Sequence, residues 1–109
     1  MMQTAPVDTV MRALADPTRR AVFERLARSE ELNVAELTRV SGVTQGAVSQ
    51  HLKLLKQAGL VGERPQGRNV FYRVRPEGLA PLFDWLSFYE SFWNEKLANL
   101  RTLLEEIDP

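Results

Sequence analysis

The 109-residue sequence contains no cysteine and only one histidine, His51. The first absence excludes disulfides, thiolate metal sites and cysteine nucleophiles. The second leaves any imidazole-based metal site without a partner ring, so no metal is expected, and His51 is read as a partly buried ring hydrogen-bonded inside the domain. No apolar run approaches the length of a membrane span. The opening Met1-Met2-Gln3-Thr4-Ala5-Pro6 lacks a basic segment followed by an apolar one. No secretory leader is therefore expected, and residues 1–5 are expected to fray. No nucleophile–base pair, phosphate-binding glycine loop or acid pair stands out, so neither an enzyme nor a cofactor is expected. The length suits a single domain, and these absences together fit a cytoplasmic protein.

Net charge is missing too: 14 Lys and Arg balance 14 Asp and Glu. The balance is uneven along the chain. Residues 42–75 carry Lys53, Lys56, Arg64, Arg68, Arg73 and Arg75 against Glu63 alone, whereas residues 76–109 carry Lys96 and Arg101 against seven acids. A basic middle and an acidic end imply one face presented to phosphate and another turned away from it.

The apolar pattern is mainly helical. Val7, Val10, Met11 and Leu14 predict a helix over 6–15, and Asp16-Pro17 restarts the chain for a second helix to about Arg28. Asn33 with Glu36 forms a capping-box pattern opening a third, short helix that ends at Ser41-Gly42. Thr44 caps a fourth helix, and Gly59 suits the left-handed position after it. Two short helices around a glycine-bearing turn, within residues 33–59, read as a helix-turn-helix. Residues 60–75 read as a β-hairpin wing, with Arg64 to Asn69 as its loop. After Pro76-Glu77-Gly78, residues 79–107 read as one long helix of about 42 Å, which overhangs a compact core about 34 Å across. The expected fold is therefore mainly α with a small β-hairpin, a winged helix-turn-helix of about five helices plus a two-stranded wing.

On a helical wheel, the fourth helix turns Ala47, Val48, Leu52, Leu54, Leu55 and Ala58 inward, with His51 in the same arc. Gln45, Gly46, Ser49, Gln50 and Lys53 fall opposite. That face carries amides, a hydroxyl and a cation but no acid. Gln pairs bidentately with adenine, Ser bonds several base edges, Lys reaches guanine or phosphate, and Gly46 permits close approach. These five are the candidate base contacts. Thr44, Lys56, Arg64, Arg68 and Asn69 are the candidate backbone contacts. Phe83, Trp85, Phe88, Tyr89, Phe92 and Trp93 hold six of the nine aromatics. Val10, Leu14, Trp85, Phe88, Tyr89, Phe92, Trp93 and Leu100 are the candidate dimer interface. The same aromatics admit a second reading, as the lining of a pocket for a small apolar effector. A protein-interaction module without DNA is the other alternative.

Three segments resemble the ArsR/SmtB family of bacterial winged-helix repressors. They are Leu14-Ala15-Asp16-Pro17-Thr18-Arg19-Arg20 followed by Leu26, the run from Val48 through Leu52 and Gly59 to Val61, and Gly67-Arg68 followed by Phe71-Tyr72. The resemblance covers about residues 8 to 105. It implies a homodimer joined through first and last helices, acting as an autorepressor on double-stranded DNA at a palindromic operator. In the family, one metalloid site uses two cysteines in a Glu-Leu-Cys-Val-Cys-Asp-Leu segment. Here that segment reads Glu31-Leu32-Asn33-Val34-Ala35-Glu36-Leu37. Another site uses last-helix histidines and acids, and this helix has Asp84, Glu90 and Glu95 but no histidine. Metal sensing is therefore not carried over, and the effector stays unassigned.

Overall fold

The computed structural model describes residues 6–107; residues 1–5, expected to fray, lie outside them. Six α-helices and a three-stranded sheet follow in the order α1 (Pro6–Ala15), α2 (Pro17–Ala27), β1 (Leu32–Asn33), α3 (Val34–Ser41), α4 (Gln45–Gln57), β2 (Val61–Gln66), β3 (Asn69–Val74), a 3₁₀ turn (Pro76–Leu79), α5 (Ala80–Ser87) and α6 (Glu90–Ile107). The class is mainly α with a winged helix-turn-helix, as the sequence pattern implies.

Local chemistry places each boundary. Asp16 accepts the Arg19 N–H at 2.8 Å and Pro17 occupies the first turn of α2, so the α1–α2 corner is capped on one side. On the other side Arg20 Nη1 donates to the Leu14 carbonyl at 2.6 Å, and Arg19 Nη2 donates to the Arg12 carbonyl at 3.0 Å. Cations thus satisfy the last carbonyls of α1, where the helix dipole also favours them. The capping box at α3 is reciprocal: Glu36 N–H donates to Asn33 Oδ1 and Asn33 N–H to Glu36 Oε1, each at 2.8 Å.

The core sits where α1, α2, α3, α4 and the base of the wing meet. Leu26, Leu37, Val48, Leu52, Leu55 and Leu60 are completely buried, with Val10, Val22, Phe23 and Val61 beside them. Each fully buried side chain of this kind contributes about 1.5–3 kcal/mol of apolar transfer free energy. This cluster fixes how α4 is presented.

Three features differ from the sequence expectation. The wing has a third strand, because β1 pairs antiparallel with β3 through Leu32–Tyr72 and Asn33–Phe71. Asn33 thus serves both as helix cap and strand end. The hairpin loop is also shorter than Arg64 to Asn69. β2 runs through Arg64, Pro65 and Gln66, and Gln66 pairs directly with Asn69. Pro65 is tolerated because β2 is an edge strand in the order β1-β3-β2. The loop is only Gly67-Arg68, with Gly67 at φ 63° and no positive φ at Arg68. A positive φ at the first loop position is the pattern of a type II′ turn, whose twist matches the strands. Finally, residues 79–107 are not one helix. α5 stops at Ser87, Tyr89 N–H bonds the Leu86 carbonyl at 3.0 Å, and α6 begins at Glu90. That three-residue bond tightens one turn and ends the regular ladder.

Candidate nucleic-acid interface

The turn between α3 and α4 is three residues long. Gly42 ends α3 in the left-handed region at φ 77° and Thr44 Oγ1 accepts the Ala47 N–H at 3.1 Å. At the far end, Gly59 (φ 79°) and the bonds Leu60 N–H to Leu55 carbonyl and Gly59 N–H to Lys56 carbonyl, each 3.0 Å, close α4 in a Schellman motif. The helix is therefore fixed at both ends, and its Val48, Leu52 and Leu55 are locked in the core.

Gln45, Gly46, Ser49, Gln50 and Lys53 are all exposed on α4. Among the described residues, none of their side chains takes part in a hydrogen bond or ion pair. Every donor and acceptor on this face is unspent. Gly46 has open space where a side chain would stand. Thr44 is exposed at the N-terminus of the helix, where backbone N–H groups and the dipole favour an anion.

The remaining basic candidates divide into two groups. Lys56 is ion-paired with Glu63 on β2, and this contact raises its pKa. Arg64 is ion-paired with Glu31, at 2.7 Å from Nη2. Arg68 and Asn69 stand exposed at the wing tip, with side chains that take part in no hydrogen bond among the described residues. Arg73 belongs with them, although the sequence reading did not select it. It shares a sheet face with Phe71 and Arg64 by the strand register, so its exposure was readable only once the hairpin register was known. Arg75 pairs with Glu77 at 3.0 Å. A groove of about 820 Å³ runs along this side of the wing, lined by Lys56, Arg64, Arg73 and Arg75 among others.

His51 departs from expectation. Its ring is half-buried, but Nδ1 is enclosed without a hydrogen-bond partner among the described residues. The ring lies at the border of the inward arc of α4. Val10 also departs from its expected place. It is 2% exposed in the chain's own core, on a helix that packs against α2 and α5, and it has no surface left for a partner. Leu14 packs against the same core with part of its surface open. Trp85, Phe88, Tyr89, Phe92, Trp93 and Leu100 are all exposed. Trp85, Tyr89 and Phe88 form an edge-to-face series with 5.3 Å centroid spacings, and Phe92 meets Trp93 edge-to-face at 5.4 Å.

A capped helix with an unspent polar face, set behind a short glycine turn and beside a basic hairpin, defines a winged helix-turn-helix DNA-binding domain. A family profile described as a helix-turn-helix domain matches residues 14–64. The chain is 46% identical over 98 residues to the HTH-type transcriptional regulator Rv2034 of Mycobacterium tuberculosis, covering 90% of this chain and 88% of that one. It is 45% identical over 71 residues to the HTH-type transcriptional repressor SmtB of the same species, covering 65% of this chain and 52% of the relative. It spans only about half of that longer protein. An ArsR-like transcriptional regulator from Rhodococcus sp. RHA1 superposes with a TM-score of 0.72 at 27% identity, over 91% of this chain and 92% of that one. The chain belongs to the ArsR/SmtB family of winged helix-turn-helix transcriptional regulators, and DNA is its partner.

Proposed function

We propose that the chain is a homodimeric repressor that places two copies of α4 in successive major grooves of a palindromic operator. The observation that carries this reading is the outer face of α4. Its five residues are exposed and acid-free, and their side chains are unengaged among the described residues. Gln45, Ser49, Gln50 and Lys53 are the base-reading side chains, and Gly46 lets the helix start approach the base edges. Thr44 and Arg68 hold backbone phosphates, and Asn69 supports them at the wing tip. Lys56 and Arg64 reach phosphate only by exchanging an intramolecular carboxylate for it. Two-fold symmetry sets the half-sites about 34–36 Å apart or a multiple of that. Repression is supported by the name of the SmtB relative, which is a repressor.

Titration of the promoter duplex upstream of its own gene tests this reading. Gln45→Ala and Gln50→Ala are each expected to cost about 1–3 kcal/mol and to relax base preference. Arg68→Ala is expected to weaken all duplexes alike and to flatten the log–log salt slope by about 0.9 for each wing. Unchanged affinity and preference in both glutamine variants would take α4 out of the groove. An absence of any salt-sensitive duplex binding would favour a protein-interaction module instead.

A further inference from the structure

The cations of the wing are not equally available. Arg64 Nε donates to Glu31 Oε2 at 2.9 Å, Nη2 donates to Glu31 Oε1 at 2.7 Å, and Nη1 donates to Gln66 Oε1 at 3.0 Å. A guanidinium has five N–H groups, so only two are left, on different nitrogens. The Phe71 ring also underlies the group, with its centroid 5.2 Å from Cζ. Glu31 is the less exposed partner, its side chain 23% accessible against 49% for Arg64. It reaches Arg64 from the segment before β1, 33 residues away in the chain. One step beyond the paired register of β1 and β3, it lies beside Arg73.

We propose that Glu31 is a specificity determinant, a built-in competitor that occupies the edge of Arg64 a DNA phosphate would take. The inference rests on the DNA reading above. A carboxylate bound to both Nε and Nη2 uses the same fork that phosphate uses. While the pair holds, Arg64 releases no counterion on DNA. Lys56 and Arg75 are shadowed in the same manner by Glu63 and Glu77. Among the described residues this leaves Lys53, Arg68 and Arg73 as the unpaired cations of the basic middle. Sequence-independent attraction is thereby held down, and discrimination falls to the acid-free face of α4, where Lys53 is the single cation. The depression of the Glu31 pKa, caused first by its hydrogen bonds with Arg64, fits a carboxylate that stays charged in this role.

The experiment measures affinity against salt for the full chain on a random-sequence duplex and on its own promoter duplex. It compares wild type with Glu31→Gln, Glu31→Ala, Arg64→Ala and the Glu31→Gln/Arg64→Ala pair. Thermal unfolding checks that each variant is folded. Glu31→Gln is expected to bind the random duplex more tightly, with a slope steeper by about 0.9 for each wing engaged. Its promoter-to-random ratio is expected to fall. Glu31→Ala is expected to behave alike. The double variant is expected to match Arg64→Ala, because the effect runs through Arg64. An unchanged or shallower slope in both Glu31 variants overturns the proposal, as does a double variant steeper than Arg64→Ala. If wild type itself shows no salt-sensitive binding, the DNA reading fails as well; if wild type binds and only the Glu31 shift is missing, this inference fails alone.

Discussion

A single carboxylate at position 16 sets the start of α2. Its Oδ2 accepts the Arg19 N–H at 2.8 Å. The Arg19 hydrogen bond is the main reason its carboxyl lies below the ordinary value of 3.8. A pKa depressed by folding means that the charged form is favoured in the native state. The linked stability is therefore fully present above the unfolded value and is lost as pH falls through the lower folded one. Asp16→Asn keeps a side-chain acceptor at the cap but removes the charge. Its melting temperature is expected to lie below that of wild type at about pH 6, with the gap closing as pH falls below about 4. Melting curves followed by circular dichroism across that range check this. A gap of constant size would mean that the cap acts without its charge.

At the scale of elements, the joint between the helix-turn-helix and the C-terminal helices depends on one close approach. A Cβ on Gly78 would stand 2.1 Å from the Gly59 carbonyl oxygen and 2.9 Å from its carbon. Arg75 N–H also bonds the Leu60 carbonyl at 2.8 Å, so the 3₁₀ turn is pinned against the end of α4. Gly78→Ala must shift backbone and is expected to cost about 1–3 kcal/mol or more. Gly59→Ala meets open space and carries only its left-handed backbone penalty, about 1 kcal/mol. Denaturant unfolding of the two variants ranks them, and equal losses would refute the contact. This joint also shows where the sequence was legible. The helix caps at Asp16, Asn33 and Thr44 and the exposed, acid-free face of α4 follow from local chemistry, and local chemistry is written in short windows. The Pro76-Glu77-Gly78 break was readable, but its contact with Gly59 was not. The same holds for β1, the Arg64–Glu31 pair and the exposure of Arg73, all of which depend on strand register between distant segments. Pro65 looked like a loop residue because nothing local marks β2 as an edge strand. The division of the last helix at Phe88-Tyr89 has neither proline nor glycine to announce it.

The whole molecule is too extended for its length. Its radius of gyration is 18.3 Å, with extents of 60 × 43 × 21 Å, whereas a compact chain of this size has a radius near about 13 Å. The excess comes from α6. α5 packs on α1, but α6 has no sustained packing against any element of its own chain. Its 18 residues extend about 27 Å. Trp93, Leu97, Leu100, Leu104 and Ile107 fall on one stripe, each at least half exposed. An exposed apolar surface of this extent calls for a partner. The second copy proposed above would supply it, because a two-fold axis pairs the stripe with itself. Leu100→Glu sets a carboxylate in the middle of that stripe, where burial without a partner charge costs several kcal/mol. The variant is expected to sediment as a monomer at micromolar concentration. Its helix-turn-helix is expected to melt as a folded unit, since α6 contributes nothing to that core. Its affinity for the full operator is expected to drop far more than its affinity for a single half-site, because two linked reading helices act at a high effective concentration. A Leu100→Glu protein that stays dimeric, with full operator affinity, would move the interface off α6.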